Sequence, residues 1–364
     1  MTTTISSPTA PVAAKARLDE ACAQTLRAEA ETAERQCRLT PDGIEALRRY
    51  GAFALRTPEA HGGLWASPSL LARRLVDLGR ACPSAAWVAG TCATSKTIHA
   101  ATFADSSPAE PFGDPDALAC GSGTAVGHGA READAVRITA RWSYVSGCED
   151  AAWANLGLTV DGTYSWVFVP IDALRVEGTW QTAGMRATGS HTLVADDVVV
   201  PADWVRPGSM PTPAERAFLG LMVLAPIIGA AYGALDVTEA MFASDRRPFT
   251  SNYNRMADSP GARQWLAEAT HLLARAEQTM DAVAATAERD DLTEPEVAAA
   301  SMALADAAHD SRTAVERMLD LNGTSGFAAT NPLQRIWRDV AVGSRHPLLN
   351  PYLATERLGS ALTA

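Results

Sequence analysis

The stretch Gly184-Met-Arg-Ala-Thr-Gly-Ser-His-Thr-Leu-Val-Ala-Asp-Asp-Val-Val-Val-Pro201 decides the architecture of this 364-residue chain. Its glycines predict a turn, and the β-branched run that follows predicts a strand that ends at Pro201. Similar short apolar runs, separated by Gly, Asp and Ser, recur between positions 117 and 200: Ala135–Ala140, Leu156–Val160, Trp166–Val169 and Leu193–Val200. Strands at this spacing predict a compact β-barrel or β-sandwich in the middle of the chain.

Helical patterns flank this β region on both sides. On the N-terminal side, apolar residues recur at helical spacing in four segments: about 14–38, 42–50, 67–80 and 84–103. On the C-terminal side, four long Ala-rich segments predict an antiparallel bundle: about 214–242, 261–289, 294–321 and 333–358. We therefore expect four parts in chain order: a disordered N-terminus (1–13), a helical domain (14–115), a β domain (116–210) and a helical bundle (211–364).

Composition excludes several classes of function. A net charge of −11 argues against nucleic-acid binding, because such proteins carry a basic patch. The apolar run 219–235 is marginal for a membrane span and contains Pro226 and three glycines, so it predicts a helix buried on all sides. The N-terminus lacks the basic start and apolar stretch of a signal peptide, and the six cysteines form no CxxC pair. These features predict a cytoplasmic protein with reduced cysteines, bound to no membrane.

Several catalytic patterns are absent or stand in the wrong context. The stretch Gly121-Ser-Gly-Thr-Ala-Val-Gly127 resembles a dinucleotide fingerprint, but its last glycine is one place late and a strand follows it. We interpret it as a glycine-rich loop between strands, whose N–H groups could face a ligand. The seven histidines form no HxxxH or HExxH pair, which predicts no metal site, and no GxSxG motif supports a hydrolase. The residues by themselves therefore assign no chemistry.

Three segments, taken together, resemble the acyl-CoA dehydrogenase superfamily. Residues 184–201 are similar to that family's glycine-rich turn and its strand ending in Val-x-Val-Pro. Ala140-Arg-Trp-Ser-Tyr-Val-Ser-Gly-Cys148 resembles the strand beside the flavin ring, and Asn331-Pro-Leu-Gln-Arg-Ile-Trp-Arg-Asp339 resembles the start of a cofactor-contacting helix. The resemblance extends from about Leu39 to Gly359. It implies an α+β fold with an N-terminal helical domain, a middle β-barrel and a C-terminal four-helix bundle.

Two departures from the dehydrogenase pattern resemble the flavin-dependent monooxygenase branch of the superfamily. The stretch Ala341-Val-Gly-Ser-Arg-His-Pro-Leu-Leu-Asn350 contains no carboxylate where many dehydrogenases have the glutamate that abstracts a proton. Ser143-Tyr-Val-Ser-Gly-Cys148 stands where dehydrogenases tend to have Trp-Ile-(Thr/Ser)-Asn. A base supplied from elsewhere leaves open a flavin desaturase or dehydrogenase that acts on a thioester. An alternative from another class is a redox-inactive structural relative.

The monooxygenase branch implies a specific mechanism. Its members take reduced flavin, FADH2 or FMNH2, from a separate flavin reductase, and oxygen adds at flavin C4a to give a hydroperoxide. The flavin carries the difficult chemistry, while the protein supplies a dry and oriented pocket. The substrate is then a small molecule, and the expected reaction is an N- or C-hydroxylation. The Ala- and Arg-rich composition suggests a tailoring enzyme of secondary metabolism, such as antibiotic biosynthesis. The resemblance also implies a homo-oligomer, a tetramer or dimer, and it identifies no substrate-binding residues.

The resemblance assigns site residues by motif position. It implies catalytic roles for His346 and Ser146, since a neutral imidazole can donate from one nitrogen and accept with the other. The implied cofactor-binding residues are Ser122, Gly123, Thr124, Ser143, Ser146, Arg246, Arg247 and Arg338. The serines would lie beside the ring, and an arginine would bind a phosphate because its guanidinium contacts two oxygens at once.

Structural roles are open for the same residues. Ser146 could be a strand hydroxyl bonded to backbone, and the two consecutive arginines could mark a solvated helix end. Arg338 and Asp339 could form an ion pair that only shapes the pocket. Trp87 and Trp142 are expected in the core.

Overall fold

The computed structural model describes residues 18–103 and 112–363, so the predicted disordered segment 1–13 lies outside the described residues. Four helices come first: α1 (Glu20–Gln36), α2 (Pro41–Tyr50), α3 (Pro68–Ala81) and α4 (Pro83–Thr102). Eight strands follow: β1 (Ala119–Ser122), β2 (His128–Glu132), β3 (Ala135–Val145), β4 (Trp153–Val160), β5 (Thr163–Pro170), β6 (Arg175–Glu177), β7 (His191–Pro201) and β8 (Val205–Pro207). The remaining helices are α5 (Pro213–Ala243), α6 (Pro260–Ala287), α7 (Glu294–Asn322), α8 (Pro332–Gly343) and α9 (Pro351–Thr363). The predicted helical, β and helical order is confirmed.

The fourth C-terminal helix differs from its prediction. The segment expected as one helix over about 333–358 forms two, α8 and α9, with a short 3-10 turn at Pro347–Leu349 between them. Pro347 and Pro351 each begin a new element, because proline lacks the N–H that would continue the preceding helix. His346 caps the turn, so the interruption places this candidate residue at a chain reversal.

The strands form one open sheet, and the predicted closed barrel is wrong. Their order is β6-β7-β3-β2-β4-β5-β8, with β1 paired in parallel to β4 off this path. The two outer strands, β6 and β8, have three residues each, and within the described chain each pairs on one side only. Such short edge strands offer too few backbone groups to close the sheet on itself. Gly121 and Ser122 end β1, so only positions 123–127 of the predicted glycine-rich loop lie between strands.

Helix α5 is the central helix of the C-terminal region. It is long and apolar enough to cross a membrane, but 83% of its apolar window is buried inside the chain. A Cβ atom on Gly229 would lie 2.3 Å from the Val76 carbonyl oxygen, so the backbones of α3 and α5 approach each other closely. The prediction of a buried core helix is therefore confirmed. Five of the six cysteines are also buried, Cys37 is partly exposed, and all six are free thiols.

Candidate functional site

A β-bulge at the end of β3 exposes an aromatic side chain that sequence alternation misses. Val136, Ile138, Ala140 and Trp142 alternate inward, and the pairing with β7 then shifts register before Val145. The displaced residue, Tyr144, has φ = 63° and is 75% exposed. Bulges reorient side chains, and a positive φ in a non-glycine residue marks stored backbone strain.

Tyr144 lies beside a second aromatic residue. Its ring meets the edge of Trp180, with ring centroids 6.0 Å apart. Strict alternation would bury Tyr144 next to Trp142, which is why the pattern alone did not identify it. The signal that could have found it was its place between the two candidate serines, Ser143 and Ser146.

The two predicted catalytic residues both contact Trp87. The Trp87 indole Nε1–H donates to Ser146 Oγ over 3.2 Å. The same indole makes an edge contact with the His346 ring at a centroid distance of 5.6 Å. Trp87 was expected in the core; it is partly exposed and connects the sheet side of the site to the helical side. Trp142, by contrast, is fully buried and donates to the Gly157 carbonyl oxygen, as expected for a core residue.

His346 presents one hydrogen-bond donor that the protein leaves open. Its Nδ1 accepts the Leu348 N–H over 3.3 Å, so in the neutral ring the proton is on Nε2. Burial lowers the pKa of His346 to about 4, which keeps the ring neutral at physiological pH. Among the described residues, no side chain or carbonyl accepts the Nε2 proton.

Ser146 has hydroxyl neighbours on the side away from Trp87. Its Oγ lies 2.8 Å from Ser190 Oγ, and Ser190 Oγ lies 2.7 Å from Thr188 Oγ1. The hydroxyl of Thr188 donates to the Met185 carbonyl oxygen over 2.7 Å. All three hydroxyl residues are buried, so the alternative of a structurally bonded strand hydroxyl describes part of what Ser146 does.

The main chain at Met185 joins α8 to this site. A Cβ on Gly184 would lie 2.0 Å from the Arg338 carbonyl oxygen, so only glycine permits this approach. The Met185 N–H donates to the carboxylate of Asp339, and its carbonyl oxygen also accepts the Trp180 indole N–H. Burial raises the pKa of Asp339 to about 7.

Arg338 and Asp339 do not form the ion pair considered from sequence. The Arg338 guanidinium pairs with Glu34, and it also donates to the Ala183 carbonyl oxygen and to Gln334. Asp339 faces the Met185 N–H instead, because neighbouring positions of a helix point in different directions. Arg338 thus fastens α8 to α1, and its contact with a cofactor stays a prediction.

The predicted cofactor loop and the bulged end of β3 lie along the same part of β4. Ser122 pairs with Leu156, while the indole of Trp142 bonds to the next residue, Gly157. Gly123 and Thr124 are exposed, and the Thr124 N–H lies 3.5 Å from Ser122 Oγ.

Ser143, the remaining serine predicted beside the ring, is exposed near the same end of β3. Its Oγ accepts a long hydrogen bond of 3.4 Å from Thr192 Oγ1. Ser143 and Ser146 thus lie at the C-terminal end of β3, while Ser122 pairs with Leu156 in the middle of β4.

The two consecutive arginines predicted to bind the cofactor, Arg246 and Arg247, lie just after helix α5. Arg246 donates to the carbonyl oxygen of Asn322 and to Ser325 Oγ, both over 2.6 Å, and so fastens the end of α7. Arg247 is exposed beyond the end of α5. Within the described residues of one chain, neither arginine bonds to Ser146 or His346.

Comparison with known proteins identifies the fold and the enzyme class. Residues 221–351 match the family model "Acyl-CoA dehydrogenase, C-terminal domain". The oxygenase subunit HsaA, a flavin-dependent monooxygenase of Rhodococcus jostii, is 28% identical over 94% of this chain and 96% of its own length. The oxygenase component of an FADH2-dependent resorcinol hydroxylase from a Rhizobium species is 28% identical, covering 90% of this chain and 88% of that protein.

The solved structure of XiaF from a Streptomyces species, in complex with FADH2 and glycerol, superposes with a TM-score of 0.86. It is 28% identical and covers 94% of this chain and 93% of that one. The chain is a flavin-dependent monooxygenase with an acyl-CoA dehydrogenase-like fold. The match extends over nearly all of the monooxygenase, so the site described above lies inside the shared fold.

Proposed function

We propose that this monooxygenase is the oxygenase component of a two-component system. It takes reduced flavin from a separate reductase and uses O2 to oxygenate a small molecule. The observation that carries the proposal is the pairing of Ser146 and His346 across Trp87, with the neutral His346 donor left open. The relatives support it, because two of them are named as oxygenase subunits or components.

The described residues fit a flavin. A flat, partly apolar ring suits the exposed face of Tyr144, which the strained bulge holds outward beside Trp180. Polar atoms on the ring edge suit Ser143, Ser146 and the loop at positions 122–124. Reduced flavin, when bound, supplies the electrons that activate O2.

The chain's own residues then perform three tasks. Ser146 and the loop orient the ring, while Trp87 covers the space between the sheet and α8. His346 donates its Nε2 proton as a hydrogen bond toward the oxygen-activating side and, being neutral, adds no charge that would favour water entry.

The substrate class we propose is a small aromatic compound, and a hydroxylation in secondary metabolism is consistent with it. One relative is named for resorcinol, a phenolic ring, and the site itself is lined by aromatic side chains. Resorcinol and simple phenols are therefore the first compounds to test, by oxygen consumption and product mass.

We further infer that the enzyme is a homo-oligomer, a tetramer or a dimer, in which Arg247 contacts cofactor bound to a neighbouring copy. Its support is the exposure of Arg247 and of Phe249, which is 94% exposed, on the segment that follows α5. Light scattering on the native protein and on Phe249→Asp tests this assembly; a native mass of one chain would contradict it.

Stopped-flow absorbance tests the proposed function directly. The protein is mixed anaerobically with reduced FAD or FMN and then with oxygenated buffer. We expect a transient absorbing species distinct from both reduced and oxidised flavin, with a shorter life in His346→Ala. The exposed His271, changed to alanine in the same way, is the matched control and should leave that lifetime unchanged.

Direct reoxidation at the rate of free flavin, with no transient, would contradict the monooxygenase mechanism. Oxidised flavin that co-purified and bleached with an acyl thioester would instead favour the dehydrogenase or desaturase. Failure to bind flavin in either redox state would favour the redox-inactive relative.

A further inference from the structure

The hydroxyl chain behind Ser146 has a fixed direction. A carbonyl oxygen can only accept, and two acceptors 2.7 Å apart would repel, so the Thr188 proton points to the Met185 carbonyl. Thr188 has one proton, so its contact with Ser190 requires Ser190 to donate. Ser190 in turn has no proton left for Ser146, and Ser146 must donate to it.

The direction of the hydrogen bond at the Trp87 end of this hydroxyl chain is fixed as well. The indole N–H of Trp87 can only donate, so it occupies one lone pair of the Ser146 oxygen. Ser146 therefore has its proton committed to Ser190, one lone pair committed to Trp87 and one lone pair remaining. Ser146, Thr188 and Ser190 are each at most 6% exposed, and such buried chains polarise and reinforce one another.

This arrangement has a consequence for cofactor choice. The reduced flavin ring carries an N–H at N5, whereas the oxidised ring has an unprotonated nitrogen there that needs a donor. With N5 beside Ser146, a hydroxyl whose proton is committed would accept from the reduced N5–H and would have no proton to give to the oxidised N5. We propose that Thr188 and Ser190 are positioning residues that hold Ser146 as an acceptor and make the site select reduced over oxidised flavin. The proposal rests on the proposed function, since it requires flavin beside Ser146.

Thr188→Val tests the proposal because it removes the hydroxyl and keeps the shape. Without an acceptor at position 188, Ser190 and Ser146 can reverse, and Ser146 can donate to oxidised flavin. The measurement is the ratio of Kd for oxidised flavin to Kd for reduced flavin, by anaerobic titration of native protein and variants. We expect this ratio to fall roughly 3- to 10-fold, the worth of one redirected hydrogen bond. Ser190→Ala should act in the same direction.

Two matched variants distinguish an effect of the hydroxyl chain from general destabilisation of the protein. Thr188→Ser keeps a hydroxyl and should restore the native ratio. Thr238→Val removes an equally buried threonine hydroxyl, one that donates to the Ala234 carbonyl within α5, and should leave the ratio unchanged.

A cofactor-free readout checks the geometry. The Trp87 indole N–H resonance, assigned by its loss in Trp87→Phe, should keep its hydrogen-bonded shift in Thr188→Val, because Ser146 still accepts it. A folded Thr188→Val protein with an unchanged flavin ratio would overturn the proposal. Native protein that bound neither redox state would instead overturn the proposed function.

Discussion

Ser146 and His346 both contact Trp87, one from the end of strand β3 and the other from the turn after helix α8, and their polar atoms are bonded differently. On the sheet side, Ser146 donates to Ser190, Ser190 donates to Thr188, and Thr188 donates to the Met185 carbonyl oxygen, while the Ser146 oxygen accepts from the indole. On the helical side, His346 uses only Nδ1, and its Nε2 proton has no acceptor among the described residues. One side of the site is thus an acceptor held by hydrogen bonds, and the other is a donor held by a proline-bounded turn.

The difference shows how one site can serve two needs of oxygenation chemistry. An acceptor with a committed proton suits a reduced ring, and a neutral donor suits an oxygen atom that develops charge. Among the described residues, Trp87 connects the two sides, and so does the main chain at Met185, whose N–H and C=O bond to Asp339 and Thr188. Variants at these junctions therefore test most directly whether the two sides depend on each other.

The largest effect is expected from Gly184→Ala, which should disturb both sides at once. The new Cβ would lie 2.0 Å from the Arg338 carbonyl oxygen, and backbone atoms cannot move aside as a flexible side chain can. Separating this turn from α8 would displace Met185 together with its bonds to Asp339 and Thr188. We expect a loss of about 3 kcal/mol or more in the free energy of unfolding, measured by urea titration.

Gly178→Ala is the matched control for that substitution. A Cβ there would meet no atom within 4 Å, so stability should change little. Equal losses in the two variants would show that the close approach at Gly184 does not hold the two sides together.

The broad organisation was readable from sequence because it depends on periodicity and helix-start signals. Thr40 caps α2 ahead of Pro41, and both residue types commonly begin helices. Closure of the sheet was not readable, since it depends on whether the distant edge strands β6 and β8 meet, which no local pattern encodes. The split of the last helix was readable in principle from Pro347 and Pro351.

The site was predictable only where a motif contained its residues. His346 and Ser146 were predicted by motif position, yet what connects them is their shared contact with Trp87, which lies far from both along the chain. Tyr144 was missed because a bulge reverses the alternation on which burial was predicted. Thr188 and Ser190 carry no signal by themselves, since a buried hydroxyl chain exists only once β3 and β7 have paired.

Asp339→Asn should change stability in a pH-dependent way on the helical side. The raised pKa of Asp339, about 7, means that the folded protein binds a proton above pH 4 that the unfolded chain has lost. This group therefore stabilises the fold fully below its ordinary pKa, and that contribution is lost as pH rises through about 7. Asparagine cannot lose a proton and can still accept the Met185 N–H.

Between pH 4 and pH 8, the stability of Asp339→Asn relative to the native protein should rise by on the order of 2 kcal/mol. Chemical denaturation of both proteins across that range measures the difference. Parallel pH profiles would mean that Asp339 is ionised in the folded protein, against the direction that its burial predicts.

His346→Asn should show the opposite sign and the smallest effect. The pKa of His346 is lowered to about 4, so between pH 4 and 6.5 the unfolded chain binds a proton that the folded protein does not. Its contribution to stability is present above pH 6.5 and is lost as pH falls toward 4. Asparagine can still cap the turn at Pro347, and His99, whose pKa is also lowered by burial, is unchanged in both proteins.

Because the His346 ring is partly exposed, the native protein should lose only about 1 kcal/mol more than the variant between pH 7 and pH 4.5. Thermal unfolding at the two pH values measures this loss. An equal loss in both proteins would mean that His346 is charged in the folded protein and is not a neutral donor.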